Sequence, residues 1–382
     1  MSATPSPDPT ALAHSQALSR HIAAAIERAG GWIDFAAYME LALYAPGLGY
    51  YSAGAQKFGG AGDFITAPEL SPLFGQALAR PAAQVRAQCG GDILELGAGS
   101  GRLALTLLRA LQHDYALPER YLILELSADL RDRQRALFER EAPELLPRVQ
   151  WLDALPERFT GLILGNEVLD ALPVHWLHHG DAGWRERGVA RTADGFVWQE
   201  RPLTPGPLLE AAQALPVDGD YLTEINVAAP ALIRSLAARL EQGALLFIDY
   251  GFPRAEYYHP QRSEGTLMCH YRHRAHADPF ALPGLTDITA HVDFTAVAEA
   301  GVGAGLALLG YTSQANFLIA CGIADLLQGL SPNDPAYMRQ AAALQKLMSP
   351  AEMGELFKVI ALGRGLVGPL MGFDRGDRSH AL

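Results

Sequence analysis

Ile93-Leu94-Glu95-Leu96-Gly97-Ala98-Gly99-Ser100-Gly101 is a short apolar run that carries an acid and ends in three glycines at alternate positions. A helical pattern begins directly after it, at Arg102-Leu103. Glycine lacks a Cβ, so it serves where backbone must turn sharply and let a ligand come close. A strand, a glycine turn and a helix N-terminus in succession make a nucleotide-type cofactor site in an open α/β sheet.

The chain around this stretch reads the same way. Strand patterns at 92–96, 121–126, 149–152, 162–165 and 245–249 alternate with helical patterns at 102–112, 128–141 and 228–242. This alternation predicts a doubly wound, mainly parallel α/β sheet with helices on both faces. Strand patterns at 306–311 and 357–362 predict an antiparallel edge pair. The first part, residues 1–90, reads as an N-terminal helical region: helices at 11–29 and 35–44, a glycine-rich loop at 54–67, and a helix opened by Ser71-Pro72. Residues 91–382 read as the catalytic domain. It carries an antiparallel insertion at 175–202 and a long irregular one at 251–293, after the last parallel strand, where functional segments concentrate.

Composition narrows the function. The 382 residues carry a formal net charge of −12. Binding to a phosphate backbone needs clustered Lys and Arg, so nucleic acid is not expected as a partner. Three scattered cysteines fit a reducing compartment without a disulfide scaffold. The N-terminus shows no secretory or Arg-rich presequence, and the expected location is cytoplasmic. Residues 301–324 lack charge but contain glycines and polar residues, so a strand followed by a helix is expected there and no membrane insertion.

The glycine spacing selects the cofactor. A dinucleotide turn, G-x-G-x-x-G, would need glycine at position 102, where the chain has Arg102. That argues against an NAD-dependent oxidoreductase. The run Glu95-x-Gly97-x-Gly99-x-Gly101 is the pattern of proteins that bind S-adenosylmethionine (SAM). Glu125 closes the second strand, where an acid can accept from both ribose hydroxyls; the plain alternative is a charge at the next helix N-terminus. Leu126 can pack on adenine. Asp153 either accepts from the adenine amino group or is a solvated turn acid. Asn166, Glu167 and Asp170 end the fourth strand, at the edge facing the transferable methyl. Buried acids need a partner, and a guanidinium suits fixed carboxylates. The bland alternative is a helix cap by Asn166 and a solvated Asp170. His259, His270, His273, His276 and His291 lack the companions of a metal site, and no metal is expected.

Several blocks together resemble the MidA-type class I methyltransferases. They are Gly62–Glu69, Leu94–Gly101, Leu124–Ser127, Gly165–Pro173, Ile248–Gly251, Gly265–Leu267 and Asp287–Phe294. That family includes the mitochondrial arginine methyltransferase that assists respiratory complex I assembly. The resemblance covers about Tyr38 to Gly363 and implies a seven-stranded Rossmann-like fold and protein arginine methylation. It also implies a protein substrate, with a respiratory-complex subunit as a candidate. By the match, residues 62–69 lie over the cofactor, with Thr66 and Glu69 in contact. Glu167 and Asp170 would bind the guanidinium, and one of them or His291 would take the proton. The alternatives are a small-molecule methyltransferase and a non-catalytic SAM-binding assembly factor.

Overall fold

Strand β1 (Asp92–Leu96) is buried at every position, as befits an apolar strand covered on both faces. The computed structural model describes residues 7–53, 66–114, 116–328, 331 and 333–382. In it β1 is joined by β2 (Tyr121–Leu124), β3 (Val149–Leu152), β4 (Phe159–Asn166), β5 (Leu240–Phe252), β6 (Ala307–Ser313) and β7 (Phe357–Arg364). The order across the sheet is β3-β2-β1-β4-β5-β7-β6. Strands β3, β2, β1, β4 and β5 pair in parallel, and β7 runs antiparallel to both β5 and β6. The chain reverses its direction across the sheet between β1 and β4, a switch point where open α/β sheets bind ligands. Leu96 sits opposite Leu124 and Gly165. The residues that follow, Gly97, Glu125 and Asn166, therefore emerge at one edge.

The helices that frame the site are α1 (Pro9–Arg28), α2 (Phe35–Tyr44), α3 (Pro72–Cys89), α4 (Arg102–His113), α5 (Ala128–Glu141), α6 (Ala228–Arg239) and α7 (Phe294–Gly303). The alternation along β5 divides two cores. Ala244, Leu246 and Ile248 pack with α3 and α4; Leu245 and Phe247 pack with α6 and α7. Helix starts follow the sequence signals: Ser71 accepts from Leu73 N–H at 3.1 Å, with Pro72 as the first residue of α3. Helix α6 stops at Arg239, short of the expected 242, because Leu240 already pairs with Phe159 in the sheet.

Two regions differ from expectation. The antiparallel insertion (His175–Gly180, Gly183–Thr192, Gly195–Pro202) gains Trp32–Asp34 and Tyr221–Ile225, making five strands. Trp32 pairs with Ala190 far along the chain, and a three-residue strand carries no periodicity of its own. The second insertion is not irregular. Met268–Tyr271, Arg274–His276 and Asp287–Thr289 form a small sheet, and Arg272 and His273 make its tight turn with φ of 48° and 60°.

A third core unites α1, α2 and both insertions through Leu18, Phe35, Tyr38, Trp176, Val189 and Ile288. Burying a side chain of this size stabilises by about 1.5–3 kcal/mol. Helix α3 packs instead on α4 in the main-sheet core, so packing separates the N-terminal region before α3 rather than at residue 90. Residues 62–65 of the block expected over the cofactor lie outside the described residues. Residues 301–324 contain the end of α7, β6 and a helix at Gln314–Ala320. No helix among the described residues is long and apolar enough to cross a membrane.

Candidate active site

The glycine turn has the conformation its composition suggests. Gly97, Gly99 and Gly101 have φ of 59°, 54° and 83°, in the left-handed region that other residues avoid. Gly101 is the N-cap of α4, and a Cβ there would meet Gln134 Cγ at 3.2 Å. Gln134 is fully buried and braces the turn: its amide donates to the Gly99 carbonyl at 2.8 Å and to Glu125 Oε2 at 3.3 Å. The Trp151 indole in turn donates to Gln134 Oε1 at 2.7 Å. Nothing local in the sequence marked Gln134, because its role depends on α5 crossing the turn.

Glu125 also accepts from Ser127 N–H at 3.0 Å, while the Ser127 hydroxyl caps α5. Burial raises the Glu125 carboxyl, against the pull of Ser127 and Gln134. Beside it Leu126 is 72 % exposed on the cavity wall. Glu95 is buried and accepts from the Tyr121 hydroxyl at 2.7 Å; burial pushes it up to about 7. Ser100 donates to Glu69, tying the turn to the short helix Ala67–Leu70 that precedes α3. Thr66 lines the same cavity. Asp153 does not. It is held by Arg131 at 2.6 Å with its side chain 92 % exposed, so the structure gives it the solvated-turn alternative.

The turn after β4 forms the other wall. Glu167 has φ of 54° and donates its N–H to the Ile248 carbonyl at 2.9 Å. Asp249 Oδ2 collects the N–H groups of Val168, Leu169 and Asp170 at 3.1, 2.8 and 3.3 Å. It orients the turn, a role that its place in the Ile248–Gly251 block did not disclose. Asn166 Nδ2 donates to Glu167 Oε1 at 3.0 Å. Burial, then Asp170, pushes Glu167 up to about 8, and burial pushes Asp170 up to about 6. Burial and then Arg262 push His291 down to about 4, so it is neutral at pH 7. Asn166 Oδ1, Asp170 Oδ1 and His291 Nδ1 are buried without a partner among the described residues, which marks a site built for a ligand.

These walls enclose a cavity of about 780 Å³. Six carboxylates line it, Glu40, Glu95, Glu125, Glu167, Asp170 and Asp287, and among the described residues no Lys or Arg does. Outside it, Asp34, His175 and Glu186 have donor atoms within 4.8 Å of one another, but His175 Nδ1 lies 2.6 Å from Glu186 Oε1 as an ion pair. The cavity suits SAM: a left-handed glycine turn, a buried acid at the second strand end, an exposed leucine beside it, and orphaned polar atoms at the far wall.

Comparison with known proteins agrees. Residues 74–312 match the model of a family described as S-adenosyl-L-methionine-dependent methyltransferase. The protein arginine methyltransferase NDUFAF7, mitochondrial, of Danio rerio is 30% identical over 385 residues, covering 91% of this chain and 87% of that protein. Its Homo sapiens counterpart is 29% identical, covering 90% and 82%. A crystal structure from Burkholderia thailandensis bound to S-adenosyl-homocysteine is 55% identical, with a TM-score of 0.97 over 100% of both chains.

Proposed function

The chain belongs to this family of S-adenosyl-L-methionine-dependent methyltransferases, and we propose that it methylates an arginine side chain of a partner protein. The observation that carries the proposal is the cavity wall: six carboxylates line it and, among the described residues, no Lys or Arg does. Such a wall calls for a cationic ligand. The names of the vertebrate relatives support the same reading.

In this reading the Gly97–Gly101 turn cradles the amino-acid end of the cofactor. Glu95 faces its amino group, Glu125 takes the ribose hydroxyls, Leu126 covers adenine, and Thr66 and Glu69 close over it. SAM, when bound, supplies an electrophilic methyl on a sulfonium. Glu167 and Asp170 then do the protein's share. They hold the guanidinium in line, which supplies much of the rate, and draw its positive charge toward two nitrogens so that the third is the better nucleophile. The proton released goes to Glu167, Asp170 or neutral His291.

The test is incubation with radiolabelled SAM and a lysate from cells lacking the protein. Label on arginine, after hydrolysis of the labelled band, is the expected result. Binding of S-adenosyl-homocysteine with no label in any protein would defeat the acceptor reading. By family resemblance a respiratory-complex subunit is the first acceptor to try. A cytoplasmic location belongs to the same proposal and rests on the dispersed free cysteines; fractionation tests it.

A further inference from the structure

Asp287 has no role in the reading above, yet it is 2 % exposed and lines the same cavity as Glu167 and Asp170. It opens the strand Asp287–Thr289, opposite His270 in register. Two connections fix it against the β4 turn. The continuation of its own strand donates Ala290 N–H to the Asp170 carbonyl at 3.0 Å. From the N-terminal region, the Tyr51 hydroxyl donates to Asp287 Oδ1 at 2.9 Å. Tyr51 stacks on Tyr44 with ring centres 5.5 Å apart, and Tyr44 donates to the Ala171 carbonyl at 2.9 Å. One tyrosine of the pair thus grips Asp287 and the other grips the residue after Asp170.

Asp287 thus adds a third carboxylate to the wall that carries Glu167 and Asp170. Its negative charge also helps to raise the Glu167 carboxyl. A guanidinium is a planar ion with five N–H donors spread around its edges, so it can meet carboxylates from more than one side. A lysine ammonium is a compact point charge. We propose that Asp287 is a third carboxylate contacting the acceptor guanidinium, positioned by Tyr51, and that this contact makes the site select arginine over lysine. The proposal deepens the arginine reading and rests on it.

The experiment is calorimetric titration of S-adenosyl-homocysteine-saturated protein. The probes are the Nα-acetyl N-methylamides of arginine, lysine and citrulline, the last a neutral isostere of arginine. Wild type is expected to prefer the arginine probe. Asp287→Asn is expected to weaken the arginine probe by about tenfold or more, the scale of one charge-assisted hydrogen bond. It should weaken the lysine probe much less and leave S-adenosyl-homocysteine affinity unchanged. Tyr51→Phe removes one hydroxyl and should lower the arginine-to-lysine ratio by about threefold, on the scale of one neutral hydrogen bond. A merely structural role would leave that ratio alone. If Asp287→Asn fails to fold, Tyr51→Phe decides, and an unchanged ratio overturns the proposal. Loss of the arginine probe in Glu167→Gln but not in Asp287→Asn overturns only this proposal. A wild type that prefers neither cation to the citrulline probe overturns the arginine reading as well.

Discussion

Glu167 combines two unfavourable features. Its φ of 54° costs a non-glycine residue about 1 kcal/mol or more, and burial beside Asp170 raises its carboxyl from 4.5 to about 8. An acid raised on folding gives stability that is complete below its unfolded value and lost as pH rises through its folded one. Without an acceptor, the protein should therefore weaken between about pH 4.5 and pH 8. Glu167→Gln is the neutral isostere. It should lose methylation, keep S-adenosyl-homocysteine affinity, and hold its Tm better than wild type between pH 5 and pH 8, a difference on the order of 2–3 kcal/mol. A variant that melts lower than wild type at pH 8 would contradict this. The same chemistry links acceptor binding to protons. A guanidinium favours the ionised carboxylate, so binding at pH 7 should release up to about one proton. Calorimetry in two buffers of different ionisation enthalpy measures the release, and affinity should climb with pH up to about 8.

At the scale of elements, the strand–turn–helix unit around Gly101 was legible because its instructions are local. Alternate glycines, an apolar run before them and a helical stripe after them can each be read within a dozen residues. Gly101→Ala tests how much the cofactor depends on it. The substitution asks alanine to adopt φ of 83° and brings a Cβ within 3.2 Å of Gln134 Cγ. Gln134 holds both the Gly99 carbonyl and Glu125, so the disturbance reaches both ends of the expected cofactor pose. Affinity for S-adenosyl-homocysteine should fall at least about tenfold by titration, a loss of about 1.4 kcal/mol; unchanged affinity would show that the turn tolerates a side chain. Elements defined by distant partners were not legible. Trp32–Asp34 became a strand only because Gly188–Ala190 lies beside it. The sheet in the second insertion was masked by its His and Arg content. Asp153 looked like a cofactor acid because sequence shows that a strand ends there but not that Arg131 would claim its carboxylate. Asp287 and Gln134 stayed invisible for the converse reason: each acts through a neighbour from another segment.

At the scale of the molecule, the cavity lies between bodies held by different cores. The glycine turn belongs to the main sheet, while Tyr44, Tyr51 and Asp287 belong to the region unified by α1, α2 and the insertions. One joint within that region is sensitive to pH. His175, on His175–Gly180, the first strand of the antiparallel insertion (the flap), is ion-paired to Glu186 at 2.6 Å and lies near Asp34, the N-cap of α2. Burial opposes its protonation, but Glu186 and Asp34 outweigh burial and raise it above 6.5. A histidine raised on folding gives stability that is full below its unfolded value and lost as pH rises through its folded one. Alkaline pH should therefore loosen the joint between α2 and the flap, and with it the tyrosine clamp on the acceptor side. The effect runs against the Glu167 titration, which improves acceptor binding over the same direction of pH. Acceptor affinity should thus pass through a maximum, while S-adenosyl-homocysteine affinity, anchored on the main sheet, should lack the alkaline fall. His175→Gln abolishes the charge. It should lower hydrogen-exchange protection at Trp32–Asp34 at pH 6 and remove the further loss of protection that wild type shows on going to pH 9. Equal protection in the two proteins at pH 6 would mean that the imidazolium does not hold the N-terminal region to the flap, and the alkaline limb would need another source.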